Sequence, residues 1–274
     1  MSDLIELGAV LGAFFDGAGP SHDQLDQAFA RHGLADGDPA PRGRARDGGN
    51  LGKAKRVRRI FVYAADNDPS AGLALAQQLV ALLRADGAFT PTLPEYAGPH
   101  KIGRLVAPFK RLGLTLTESG ELGPTVIDNL QGTELTDTLR GYVRRINLNP
   151  DDPELQIGTG KELDEATARH VLMQRTGTYP VGGAAGNFPM TLAGAFAALG
   201  FEMPGNIKLD DDPHAAVQKC LFLLGKEINR LRNEAGTGHG KPGPPTKTKP
   251  LTAKQARLVA RATALLAGAM LDEL

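Results

Sequence analysis

Two long apolar stripes near the C-terminal end constrain this chain more than any other feature. In "DDPHAAVQKCLFLLGKEINRLRNEA" (211–235), Val217, Leu221, Leu224, Ile228 and Leu231 recur every three or four residues. In "LTAKQARLVARATALLAGAMLDEL" (251–274), Leu258, Val259, Ala262, Leu265, Leu266, Ala269 and Met270 do the same. That period belongs to an α-helix with one apolar side, and such a side must be covered. Two helices of this kind are expected to pack together in a bundle. Their starts are marked. Asp212 caps the first with Pro213 in its opening turn, and Thr252 with Gln255 forms a capping box for the second.

The rest of the chain is also read as mainly helical. "MSDLIELGAVLGAFFDG" opens with a short amphipathic helix. Residues 35–56, rich in Gly, Pro, Arg and Asp without an apolar period, are expected to be a linker or loop. Its basic end, "KAKRVRR" at 53–59, reads as a solvated start to a helix rather than a phosphate contact. In "DNDPSAGLALAQQLVALLRADGAF", Asp68 caps, Pro69 fits the first helical position and Gly87 the stop. A helix in "PHKIGRLVAPFKRLG" must kink or end at Pro108. "LTLTESGEL" alternates around Ser119–Gly120 like a small hairpin. Leu135, Leu139, Tyr142, Val143 and Ile146 share one helical face. Further on, Thr159 and Glu162 have capping-box spacing, ahead of Leu163, Ala166, Thr167, His170 and Val171 at helical intervals. Gly200 ends a short helix in "NFPMTLAGAFAALG". The expected organisation is N-terminal helices and linker over 1–56, a mostly helical domain over 57–150 and a helical bundle over 151–274. "LNPDDPE" marks the last boundary.

Composition bounds the function classes. With 31 basic and 31 acidic residues the chain carries no net charge, so a globally basic nucleic-acid binder is not indicated, while a local basic patch is allowed. One cysteine, Cys220, excludes a disulfide framework within the chain and a cysteine-rich metal site, and is expected to be a small buried hydrophobe. Asp3 and Glu6 stand where a secretory signal carries Lys or Arg, and no apolar run reaches membrane-spanning length. A cytoplasmic protein without membrane contact is expected.

Two apparent motifs fail on inspection. "GTGKE" at 158–162 invites a phosphate-loop reading, but Leu155 stands where the first glycine belongs and Glu162 where Ser or Thr belongs. The six histidines show no paired metal-ligand spacing. His170, beside an apolar helix face, reads as a satisfied core or interface histidine.

"RNEAGTGHGKPGPP" (232–245) is the segment with chemistry in it. With Leu224 as zero on the helical wheel, Ile228 falls at about 40°, Leu231 at about −20° and Arg232 at about 80°. Arg232 is thereby expected at the edge of the apolar stripe, its guanidinium at a groove rim. Gly236 and Gly238 stop the helix and bring His239 onto a loop near its C-terminus, where the helix dipole favours an imidazolium. A permanent cation would thus lie near a group that titrates around neutrality. RNA cleavage by its own 2′-hydroxyl needs a base, an acid and a cation to stabilise the phosphorane charge, with no metal or other cofactor. The competing reading is plain: Arg232 pairs with a nearby acid, the glycines stop the helix and His239 is solvated.

"LRNEAGTGHGKP" followed by an alanine-rich closing helix resembles the C-terminal domain of abortive-infection proteins, which is similar to the HEPN superfamily. The resemblance covers about 159–274. Its signature, an Arg, a polar residue, a spacer and a His, falls here on Arg232, Asn233 and His239, and "GTGKELDEATARHVL", with the acidic Glu165, matches the first helix. The resemblance implies a four- or five-helix bundle that dimerises, with the two Arg–His sets converging as a metal-independent endoribonuclease of phage defence, often a toxin. It implies phosphate binding for Arg232, general acid/base work for His239 and orientation for Asn233. Lys241 is added as a phosphate contact, against the simpler reading of a solvated lysine. The implied partners are an RNA substrate, with tRNA a candidate, a second copy of the chain, and a phage trigger or regulatory partner for the N-terminal half. The alternative is a non-catalytic HEPN-type module that binds nucleotide or RNA, or serves as the interaction half of a defence complex. A purely structural helical dimer is the third reading.

Overall fold

The computed structural model describes residues 2–17, 19–45, 48–149, 160–178, 187–204, 212–234 and 251–274, and is mainly helical. The chain divides into two compact units, Met1–Val126 and Ile127–Leu274.

In the N-terminal unit, α1 (Ser2–Gly12) lies along α3 (Lys53–Asn67). The contact is close because Gly8 leaves room for Phe61; a Cβ at Gly8 would stand 2.3 Å from Phe61 Cβ. Leu4, Leu7, Leu11, Val57, Ile60 and Phe61 fill the space between these helices and their neighbours. Helix α2 (His22–Arg31) starts at a Ser21–Gln24 capping box, and α4 (Pro69–Ala85) starts as expected, with Asp68 accepting from the Ala71 amide and Pro69 at the first position. Helix α5 (Pro99–Lys110) continues through Pro108 and ends two residues later, so the proline interrupts the hydrogen bonding only in the last turn and the helix stops there. The hairpin is present as β1 (Leu114–Leu116) and β2 (Leu122–Pro124), antiparallel, with Gly120 at φ 78° in its turn.

Residues 35–56 depart from the expected loop. Two short 3-10 turns, Ala35–Gly37 and Pro41–Gly43, fold back on the unit and bury Asp38, Ala40 and Gly43. The reason is Arg56, which the sequence placed in a solvated helix start. Its side chain is fully buried in α3, where it pairs with Asp38 and Asp26. A buried cation needs anions brought to it, and the 35–43 segment brings one.

The C-terminal unit is built on α6 (Gly132–Leu148), α7 (Gly160–Thr176), α8 (Phe188–Leu199), α9 (Pro213–Glu234) and α10 (Ala253–Leu271). Helix α10 is central, packing against α6, α7 and α9, while α8 lies against α7 and α9. Helix α6, which the sequence grouped with the residues before it, therefore completes this bundle. Leu139, Tyr142 and Ile146 of α6 meet Leu163 of α7 and Ala260, Ala264 and Ala267 of α10. On the other side, Val171, Leu192 and Phe196 meet Leu266 and Met270. The expected terminal signals hold at Gly200, in the left-handed region at φ 73°, and at the Thr252–Gln255 capping box. Thr159, the other proposed cap, lies outside the described residues.

Both apolar stripes turn out rotated. On α10, Val259, Ala262, Leu266 and Met270 are buried, but Leu258 and Leu265 are 63% and 59% exposed. Alanines take the buried places instead, since three neighbouring helices approach closely only over small side chains. On α9, Val217 is 65% exposed, and the buried residues are Gly225, Ile228 and Arg232. Cys220 is exposed rather than buried, because it too lies off this rotated face.

Candidate functional site

Arg232 occupies the last turn of α9, and its placement follows from Gly225. With Leu224 as zero, Gly225 falls at about 100° and Ile228 at about 40°, so the centre of the buried face lies near Arg232 at about 80°. A Cβ at Gly225 would stand 2.6 Å from Leu266 Cδ2 and 3.0 Å from Leu192 Cδ2. The missing side chain lets α10 and α8 close onto this side of α9. A stripe counted from large apolar residues overlooks a glycine, which is why the wheel put Arg232 at the rim. The structure puts it inside, at 2% exposure.

Its partners come from two other helices. Arg232 Nη1 donates to Asp164 Oδ2 of α7 at 3.1 Å, and Nη2 contacts Thr263 Oγ1 of α10. The Thr263 hydroxyl in turn donates to the same Asp164 oxygen at 3.2 Å. Three helices are thus tied through one guanidinium, one hydroxyl and one carboxylate oxygen. The other oxygen, Asp164 Oδ1, and the hydroxyl of Thr167 one turn further along α7, are buried without a hydrogen-bond partner among the described residues.

The electrostatics follow from dehydration. Burial pushes the Asp164 carboxyl up to about 7, even though the Arg232 charge and hydrogen bonds from Thr263 and Arg232 oppose the shift. Burial also lowers Arg232 from the ordinary arginine value, against the attraction of Asp164 and Glu165. Both shifts say that one close ion pair does not replace the lost hydration of two ions.

Of the other predicted residues, Asn233 is exposed, one position beyond Arg232. His239 and Lys241 lie outside the described residues. Glu165, the acid singled out in the sequence, pairs with Arg169 at 3.6 Å, and its neighbour Asp164 is the one seen to bond Arg232. His170 is buried, with Nε2 2.7 Å from Thr136 Oγ1 of α6, and burial lowers its pKa. That is the satisfied core histidine expected from the sequence.

Asp164 and Thr263 were missed, yet each carries a signal. Asp164 falls in register with Thr167, Ala168 and Val171, and Thr263 with Val259, Ala260 and Met270. A polar residue in the middle of an apolar register is a candidate buried partner, since unpaired charges are almost never fully buried.

Comparison with known proteins agrees with this architecture. The family model described as Abi_C, HEPN-like domain, matches residues 138–272, from the middle of α6 to just beyond α10. No curated protein and no solved structure matches the chain. No helix among the described residues is long and apolar enough to cross a membrane.

Proposed function

We propose, from the match of residues 138–272 to the HEPN-like domain of the Abi_C family, that the protein is a metal-independent endoribonuclease of anti-phage defence. The observation that carries this reading is the site itself. An arginine of the Arg–Asn–spacer–His signature is held at the end of a helix by Asp164 and Thr263, seven residues before His239.

A guanidinium has five N–H donors in a fixed plane. The contacts to Asp164 and Thr263 fix that plane within the last turn of α9. In the proposed reaction a histidine takes the proton of the ribose 2′-hydroxyl, and O2′ attacks the adjacent phosphorus. The P–O5′ bond breaks, and the leaving oxygen takes up a proton. The products are a 2′,3′-cyclic phosphate and a 5′-hydroxyl end. Arg232 stabilises the charge that builds on the phosphorane, His239 transfers the protons, and Asn233 orients substrate or histidine. Two copies of the chain supply two histidines, one as base and one as acid. Lys241 adds a phosphate contact, and the N-terminal half receives a trigger or regulatory partner.

The burial of Arg232 favours a second reading, a non-catalytic HEPN-type module in which the arginine only ties three helices together. Cleavage of a labelled tRNA pool in EDTA separates the two. The nuclease reading expects cutting by the wild type that leaves 2′,3′-cyclic ends. Loss should be ~10²–10³-fold in Arg232→Lys, which keeps a charge but not the planar fork, and no smaller in His239→Ala. Equal folding and no cutting by any of the three would select the binding module.

A further inference from the structure

A second charged feature lies on the side of α10 turned away from Arg232. Arg261 sits about 160° around the helix from Thr263, so the two point in nearly opposite directions. Arg261 and Leu265 of α10 face Arg140, Val143, Arg144 and Asn147 of α6 across a groove of about 630 Å³. Asp272 is the one acidic residue lining it. In a chain with no net charge, three arginines against one carboxylate is a local concentration of positive charge.

We propose that this α6–α10 groove binds the phosphodiester backbone of a single RNA strand. The inference rests on the reading that the protein acts on RNA, and adds where the strand is gripped away from the reacting bond. Arg140 and Arg144 stand one turn apart, about 6 Å along α6, and so present two cations in line along one wall. Arg261 opposes them from the other wall, so phosphates between the helices meet cations from both sides. Arg140 is held in place, because its Nη2 donates to the Leu271 carbonyl oxygen at 2.8 Å. That contact also satisfies one of the last carbonyls of α10. Arg144 and Arg261 are exposed. The groove has an apolar wall too: Leu265, 59% exposed, with Val143, Ala264 and Gly268. Ribose and base faces can cover that wall while the phosphates meet the arginines. An acidic protein surface would satisfy the cations but not this alternation of charge and apolar surface along one narrow groove.

The test is equilibrium binding of a labelled 20-nucleotide single-stranded RNA to the full-length His239→Ala protein, which keeps the strand uncut, over a series of salt concentrations. Adding Arg144→Glu and Arg261→Glu should weaken binding at least tenfold. It should also lower the slope of log K against log salt by at least about 1.4, the value for two single-strand phosphate contacts at ~0.7 each. Restoring both as Lys should recover most of the affinity. Melting of the reversed and the Lys-restored proteins checks that the fold is intact. With His239 intact, the same charge reversals should raise KM and leave kcat unchanged. Unchanged affinity and slope in the reversed protein would overturn the proposal, as would displacement of the strand by free triphosphate at equal phosphate concentration. Loss of a dimer with RNA affinity unmoved would reassign the groove to a second copy of the chain. Absence of cutting with salt-dependent, groove-dependent binding intact would overturn the nuclease reading and leave the groove standing.

Discussion

Among the described residues Arg56 is buried in the N-terminal unit and Arg145 and Arg232 in the C-terminal unit, and Arg56 and Arg232 are treated differently. Arg56 is met from all sides. Its Nε donates to Asp38 Oδ1 at 3.1 Å, its Nη2 meets both Asp38 and Asp26, and its Nη1 lies 2.8 Å from His22 Nδ1. Its guanidinium carbon also lies 5.5 Å from the centre of the Phe29 ring. Burial alone would lower its pKa, but the two carboxylates outweigh that and raise it. Arg232 hydrogen-bonds Asp164, a carboxylate that is itself fully dehydrated, and feels the charge of Glu165, yet burial outweighs both and its pKa falls. The surplus of anion around Arg56 belongs to a structural pin. Around Arg232 burial outweighs the carboxylates, so its charged form is less favoured than in water, and the phosphate-binding role proposed for it would add an anion beside that cation.

The largest effect that tests this contrast is on stability. Asp164→Ala strips the buried Arg232 of its carboxylate and should cost about 3–5 kcal/mol. Asp38→Ala leaves Asp26 on Arg56 and should cost less, about 2 kcal/mol. Denaturant unfolding of the full chain, with amide exchange in α9 and in α3 to assign each loss to its unit, measures both. Equal losses would remove the distinction between pin and site.

The next effect, with opposite signs at Asp164 and at His22, is the dependence on pH. Folded Asp164 holds its proton up to about 7, whereas an unfolded aspartate releases it near 3.9. Between those values the folded state binds more protons, so this group's contribution to stability falls as pH rises, and the loss is complete above about 7. His22 runs the other way. Burial, then the charges of Arg56 and Lys53, lowers its pKa. The unfolded state binds the extra proton below about 6.5, and stability in the N-terminal unit rises with pH up to that point. His170, also lowered by burial, gives the C-terminal unit a rise of the same kind. Asp164→Asn therefore isolates the falling component. Melting of that variant should lose the decline between about pH 4 and 7 that the wild type shows in α7, α9 and α10. A decline that persists in Asp164→Asn would place its source elsewhere.

These contrasts also mark what could be read from the sequence. Helix positions, the hairpin at Gly120, the Gly200 stop and the Asp68 and Thr252 caps are local, each set by a few adjacent residues whose conformational preferences agree. The rotation of α9 and α10 was not legible, because Gly225 and the α10 alanines act through what they leave out. A pattern built on large apolar residues placed Leu258, Leu265 and Val217 inside, and the close approach of neighbouring helices puts them outside. The sequence singled out Arg232, Asn233 and His239 as a motif, but not the buried partners of Arg232. Asp164 lies 68 residues before Arg232, and Thr263 31 after it. Only the packing of α7, α9 and α10 joins them.

The smallest effect is the control on all of this. Ser21 with Gln24 and Thr252 with Gln255 form the same reciprocal cap, one in each unit. Each hydroxyl accepts from the backbone amide three residues on, at 3.2 Å and 3.3 Å, and both caps are exposed. The Thr252 hydroxyl also donates to Gln255 Oε1 at 2.9 Å, an exposed bond that adds little, so Ser21→Ala and Thr252→Ala should each cost about 1 kcal/mol. Thermal denaturation of the two variants should agree within a few tenths of a kcal/mol. Agreement would locate the difference between the halves in their buried arginines rather than in helix-end strength. A Thr252→Ala loss several times larger than that of Ser21→Ala would mean that the α10 start is coupled to the Asp164–Arg232–Thr263 network three turns away, and that the network reaches further than its hydrogen bonds.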